Sequence, residues 1–283
     1  MTEKANRRSD QPDPHPIAPH PARTLPSFID ALQASGRYVF TRDEALRALG
    51  VSEVALKLAA QRLAQKHRLA MPRRGFFVIV PLEYSIAGAP PASWFVDDLM
   101  KYEQAHYYVG LLSAAALHGA AHHQPQETQV VTDRQMRPTT AGRSRLRFFI
   151  KRELAQTPTE ELRTDTGTMR VSTPDATALD LVRYAQSLGG LGAVTAVLAE
   201  LAERIDPQRL MRVARADVEL SIVQRTGYLL DRVGARDKTT PLADWLATQR
   251  PRRALLRAGS GPRRGVADAR WGILENERIE VEP

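Results

Sequence analysis

The chain has no cysteine, which excludes disulfides and thiolate metal sites and is compatible with a reducing compartment. No apolar run approaches the roughly 20 residues needed to span a bilayer, and the N-terminus is polar where a signal peptide needs an apolar stretch. A cytoplasmic protein with no membrane partner is the expectation. Acidic residues are missing from one long stretch: between Val54 and Leu82 there is no Asp or Glu, while six Lys and Arg are present. Across all 283 residues Lys and Arg exceed Asp and Glu by 40 to 32, a formal charge of +8, with a sequence pI near 10.0. That balance favours an anionic partner, nucleic acid or an acidic protein.

Residues 1–24 are dense in Pro and charge and poor in large apolar groups, so they are expected to be a disordered tail. "PSFIDALQASG" then predicts a helix, "RYVF" a short strand, and "RDEALRALG" a second helix with Thr41 as its cap and Glu44 completing a capping box. Gly50 and Ser52 bracket a turn of the length found between the two helices of a helix-turn-helix. On the next helix Leu56, Ala59, Ala60 and Leu63 fall on one side. Gln61 and Gln65 fall opposite, flanked by Lys57, Arg62 and Arg68, a polar face with the chemistry for a major groove. Val54 and Leu58 share that face, either against thymine methyls or buried against something else. "RLAMPRRGFFVIV" predicts strand, Pro-Arg-Arg-Gly turn and strand, a wing whose Arg73 and Arg74 are placed to meet phosphates.

Three prolines and a glycine in "PLEYSIAGAPPASW" suggest a boundary near residues 81–92. Beyond it helical patterns alternate with "ETQVVT", "RLRFFIKR" and "GTMRVST", which predict strands, and "ADARWGILENERIEV" predicts a final strand or hairpin. The expected fold class is α+β: an N-terminal winged helix-turn-helix domain over 25–85 plus a larger mixed α/β C-terminal domain over 92–283.

Catalytic signatures are scarce. His118 and His122 stand at i and i+4, but the Glu of a zinc hydrolase is missing and Gly119 interrupts the helix. "GGLG" follows a helix where a dinucleotide loop follows a strand, and "GSGPRRG" lacks the Lys-Ser/Thr ending of a phosphate loop. No G-x-S-x-G elbow occurs, and no spacing singles out carboxylates for a nuclease metal. The expectation is a protein that acts by binding, with no catalytic residue, no metal and no cofactor. The arginine-rich run over 250–265 suits either a solvated loop or contact with nucleic acid or an acidic partner.

The order of these features resembles the AbiEi antitoxins of type IV toxin-antitoxin systems. The resemblance is carried by "RLAMPRRGFFVIV", by "YYVGLLSAAALHGAAHHQPQETQVVT", by "VSTPDATALDLVRY" and by the ending "DARWGILEN". It implies an N-terminal winged helix that binds inverted repeats in the promoter of its own operon, with self-association on the DNA. It also implies a C-terminal antitoxin domain that counters a nucleotidyltransferase-like toxin, by acting on the toxin or on the toxin's target. The residues matching the DNA-reading part are Lys57, Gln61, Arg62, Gln65, Arg73 and Arg74. Two other readings stay open: a stand-alone winged-helix regulator with a ligand-sensing or protein-interaction C-terminal domain, and a nuclease targeted by the winged helix.

Overall fold

Thr24 starts the first helix, α1 (Leu25–Ala34): its hydroxyl accepts from the Ser27 amide and Ser27 returns the bond, closing a capping box. The computed structural model describes residues 24–120, 125–217, 219–259 and 265–279; the disordered tail expected at 1–24 lies outside them except for Thr24. Strand β1 (Val39–Thr41) leads directly into α2 (Arg42–Leu49), capped by Thr41 at 3.2 Å from the Glu44 amide. The box expected with Glu44 does not close, because Arg37 takes both carboxylate oxygens at 2.8 and 3.1 Å. Gly50 ends α2 in the left-handed region at φ 63°, and Ser52 caps α3 (Glu53–Gln65) two residues later. Strands β2 (Leu69–Arg73) and β3 (Phe76–Ile79) follow, and the three strands form an antiparallel sheet in the order β1-β3-β2.

Side-chain alternation along β3 divides two cores. Phe77 and Ile79 face the three helices and join Phe28, Ile29, Phe40, Leu56 and Leu63, with Phe40 stacked on Phe77 at 4.9 Å. Phe76, Val78 and Val80 face the other way, against Phe95, Val96, Leu99 and Met100. The last three belong to α4 (Val96–Tyr102), so the small sheet is covered on both faces.

The larger part is built on a mixed six-stranded sheet. Its strands are β4 (Tyr107–Val109), β5 (Thr128–Thr132), β6 (Thr139–Ala141), β7 (Ser144–Ile150), β8 (Thr159–Thr164) and β9 (Gly167–Ser172), in the order β6-β7-β5-β4-β9-β8. The β5–β7 and β4–β9 pairs are parallel and the rest antiparallel. One face meets α4 and the small sheet. The other is covered by a helical layer drawn from α5 (Leu111–Leu117), α6 (Pro174–Arg183), α7 (Gly190–Leu201), α8 (Pro207–Ala216), α9 (Leu220–Arg232) and α10 (Arg236–Gln249). A second small sheet closes the chain: β10 (Ala254–Leu255) lies parallel to β12 (Ile273–Glu275), which forms a hairpin with β11 (Val266–Asp268). The whole is α+β, with an N-terminal helical region and a larger C-terminal part.

Several elements depart from expectation: strands β6, β8 and β10 were not expected, and two further departures have a clear cause. "YYVGLLSAAALHG" reads as one helix ended by Gly119, but its first three residues, 107–109, are a strand. Tyr107 and Val109 face one core and Tyr108 the other, so all three are apolar-facing and no alternation is visible. Helix α10 was not expected because Pro241 sits inside it and Thr239 and Thr240 precede the proline.

Candidate nucleic-acid interface

The exposed side of α3 carries four of the six residues expected to read DNA. Leu56, Ala60 and Leu63 turn inward, leaving Lys57, Gln61, Arg62 and Gln65 in solvent. Val54 and Leu58 are also uncovered, so no other part of the described structure buries them. Between α3 and β2 runs a groove of about 450 Å³, lined among others by Val54, Lys57, Gln61, Met71 and Arg74. Neutralisation is uneven around it. Arg68 pairs with Asp30 on α1 at 2.7 Å and so leaves the reading face it was expected to flank. Arg42 lies 3.3 Å from Asp43 and 3.6 Å from Glu53. Among the described residues no ion pair holds Lys57, Arg62, Lys66 or Arg74.

The two arginines of the expected wing part company. Arg74 stands exposed at the turn. Its carbonyl accepts from the Tyr102 hydroxyl at 2.8 Å, and the next residue, Gly75, sits at φ 82° where a Cβ would meet that same hydroxyl at 2.8 Å. Arg73 is not at the tip and is not free, which corrects the expectation that it meets phosphate. Its Nε donates to Glu103 at 3.1 Å, its guanidinium also reaches the Arg137 carbonyl, and it lies over the Phe148 ring at 5.6 Å. The cause is a register shift between Ala70 and Arg73, which breaks the alternation that would place Arg73 on the same side as exposed Met71. Thr139 donates to the Pro72 carbonyl as well, so this strand is tied to the larger sheet at successive residues.

A second polar assembly lies at the far end of β7. Asp180 of α6, fully buried, accepts from Lys151 at 2.8 Å and from the Tyr108 hydroxyl at 2.6 Å. Arg183, one turn on, binds Asp217 at 2.7 Å and also Glu219, and Tyr184 donates to the Ile150 carbonyl at 2.6 Å. Of these residues Lys151, Arg183, Tyr184, Asp217 and Glu219 border a cavity of about 650 Å³ that also touches Arg152 and Glu153. Burial alone would lower the Arg183 pKa, but Asp217, Glu219 and Asp180 outweigh it and hold the guanidinium charged. Burial, reinforced by Asp180, pushes the Tyr108 hydroxyl up, so it stays a proton donor. Both oxygens of Asp180 are engaged, and the arrangement locks α6 to β4 and the end of β7. Sequence inspection missed this cluster, since Lys151, Asp180 and Asp217 are joined only by folding.

Among the described residues no group of three or more His, Asp or Glu is arranged to hold a metal. His118 meets the Ser172 carbonyl through Nε2 at 2.7 Å, while His122 lies outside the described residues. Residues 260–264 of the arginine-rich run also lie outside them. No described helix is long and apolar enough to cross a membrane.

Residues 108–232, the stretch that holds most of β4, α5 to α9 and the whole buried charge cluster, match the family model of the AbiEi antitoxin C-terminal domain. No curated protein matches this chain. Among solved structures, that of the RV2827C protein from Mycobacterium tuberculosis is similar in fold, with a TM-score of 0.62 and 18% identity over 91% of this chain and 94% of that one.

Proposed function

We propose that this chain, whose residues 108–232 match the family model of the AbiEi antitoxin C-terminal domain, is the DNA-binding antitoxin and autorepressor of a bacterial type IV toxin-antitoxin system. In this reading residues 25–85 are a winged helix: α2 and α3 form the helix-turn-helix, and β2 and β3 the wing. The observation that carries it is the uncovered face of α3, rimmed by unpaired Lys57, Arg62, Lys66 and Arg74, next to a wing strand fixed in place. Cations without acidic partners lose nothing when phosphate replaces their counterions, and each one engaged releases condensed ions from the duplex. Lys57, Gln61, Arg62 and Gln65 face the groove and Arg74 the backbone. The antitoxin domain then counters a nucleotidyltransferase-like toxin in the cytoplasm.

Fluorescence anisotropy of the full chain on DNA from upstream of its own gene, against scrambled DNA over a salt series, tests the DNA half. A preference of about 10³ or more supports a specific repressor, and equal weak binding rejects it. The structure also separates the two wing arginines. Arg74→Ala is expected to reduce the slope of log affinity against log salt by about one, the share of a single phosphate contact. Arg73→Ala is expected to leave the slope unchanged because its guanidinium is already committed to Glu103 and Arg137. A slope change for Arg73 and none for Arg74 would reverse that assignment.

The cavity beside Lys151 and Arg183 favours one other reading, a regulator whose larger domain senses a small molecule. Thermal stabilisation by a metabolite would support it, and co-purification with the neighbouring gene product would support the antitoxin.

A further inference from the structure

Four side chains make one stripe along the exposed side of α3: Val54, Leu58, Gln61 and Gln65. At 100° per residue they stay within an arc of about 60°. The stripe changes character along its length. Its first half is apolar, with Val54 69% and Leu58 48% exposed, and Met71 of β2, 58% exposed, lines the same groove as Val54. Its second half is amide. Uncovered apolar groups scattered singly mean little, but these are gathered on one ridge and enclosed by Lys57, Arg62, Lys66 and Arg74. That rim suits a polyanion. Glu53, the residue before Val54, is held 3.6 Å from Arg42.

We propose that Val54 and Leu58 are specificity-determining residues that pack on thymine C5 methyl groups in the major groove, so that the preferred target is rich in A·T pairs. The inference rests on the reading of α3 as the DNA-facing helix. In a helix-turn-helix the first residues of the second helix reach the base edges, and in α3, after Glu53 with its Arg42 partner, the first two residues of the stripe are apolar. The thymine methyl is the apolar group offered there, and Gln61, one turn further, has the donor and acceptor that match adenine N7 and N6. A basic rim and an apolar ridge thus divide the work between affinity and selection.

The test compares the upstream fragment with the same fragment in which every thymine is replaced by uracil, which removes the methyl and leaves the hydrogen-bonding edges intact. The full chain is expected to bind the uracil fragment about fourfold more weakly per methyl contacted, hence tenfold or more for two contacts. The V54A/L58A variant is expected to bind both fragments equally while keeping its salt slope. Both side chains are exposed and Ala favours a helix, so the variant folds. Equal binding of thymine and uracil DNA by the unaltered chain overturns the inference alone, as does a variant that keeps the full thymine preference. Failure to prefer upstream over scrambled DNA overturns the DNA-reading assignment, and this inference with it.

Discussion

Asp180→Ala is expected to lower the unfolding free energy by about 3–5 kcal/mol, because it leaves Lys151 charged and unpartnered in a nearly closed site. The Tyr108 hydroxyl loses its acceptor in the same step, at 2.6 Å in the intact protein. Domains of this kind have about 5–15 kcal/mol in total, so the loss is a large fraction of the whole. Lys151→Met is expected to be damaging too, since Asp180 then retains only Tyr108 and the more distant Arg183, whose Nε is 3.9 Å away. The diagnostic is the pair. Removing both charges leaves neither stranded, so K151M/D180A should cost clearly less than the sum of the single changes. Urea denaturation of the four proteins measures this, and strict additivity would mean that Lys151 and Asp180 do not depend on one another.

Gly227→Ala is expected to be severe for a different reason. Gly227 lies in α9, and a Cβ there would fall 2.1 Å from Cζ3 and 2.2 Å from Cη2 of Trp271. The ring has little room to retreat. It is 1% exposed, its Nε1 donates to Asp231 at 2.8 Å, and its backbone amide donates to Asp268 at 2.7 Å. Overpacking against such a wall costs about 3 kcal/mol or more. Trp271→Ala alone is expected to cost about 3–5 kcal/mol by opening a cavity. Once the ring is gone, Gly227→Ala should change sign and become mildly stabilising, because Ala surpasses Gly in a helix by about 1 kcal/mol. A double-mutant cycle reads the reversal directly. If G227A costs the same in both backgrounds, the ring is not what excludes a side chain at this position.

What the sequence reveals here follows from how local each determinant is. The caps at Thr41 and Ser52, the left-handed Gly50 and the inward Leu56 and Leu63 are set by near neighbours, and the elements from α1 to β3 were legible from them. The exposure of Val54 and Leu58 was not, since uncovered and buried apolar residues look alike until the rest of the chain is in place. Arg73 shows the limit most clearly. Its neighbours suggest a free wing tip, while its partners Glu103, Arg137 and Phe148 arrive 30 or more residues later, and the register shift that turns it toward them has no signature in the residue types. The charge cluster had a visible half, Asp180 and Arg183 in "LDLVRY", but its other members are Tyr108 of β4, Lys151 just after β7, and Asp217 and Glu219 ahead of α9.

The tie between β2 and the larger sheet has a consequence for recognition. A wing on a free hairpin must be immobilised as the complex forms, and that ordering is subtracted from affinity. Here Arg73, the Pro72 carbonyl and the Arg74 carbonyl are each anchored to the larger part, and the apolar residues of β3 are shared with it. The spacing between α3 and Arg74 is therefore set when the chain folds, and under the proposed function the two would meet a duplex as a stiff caliper of fixed gauge.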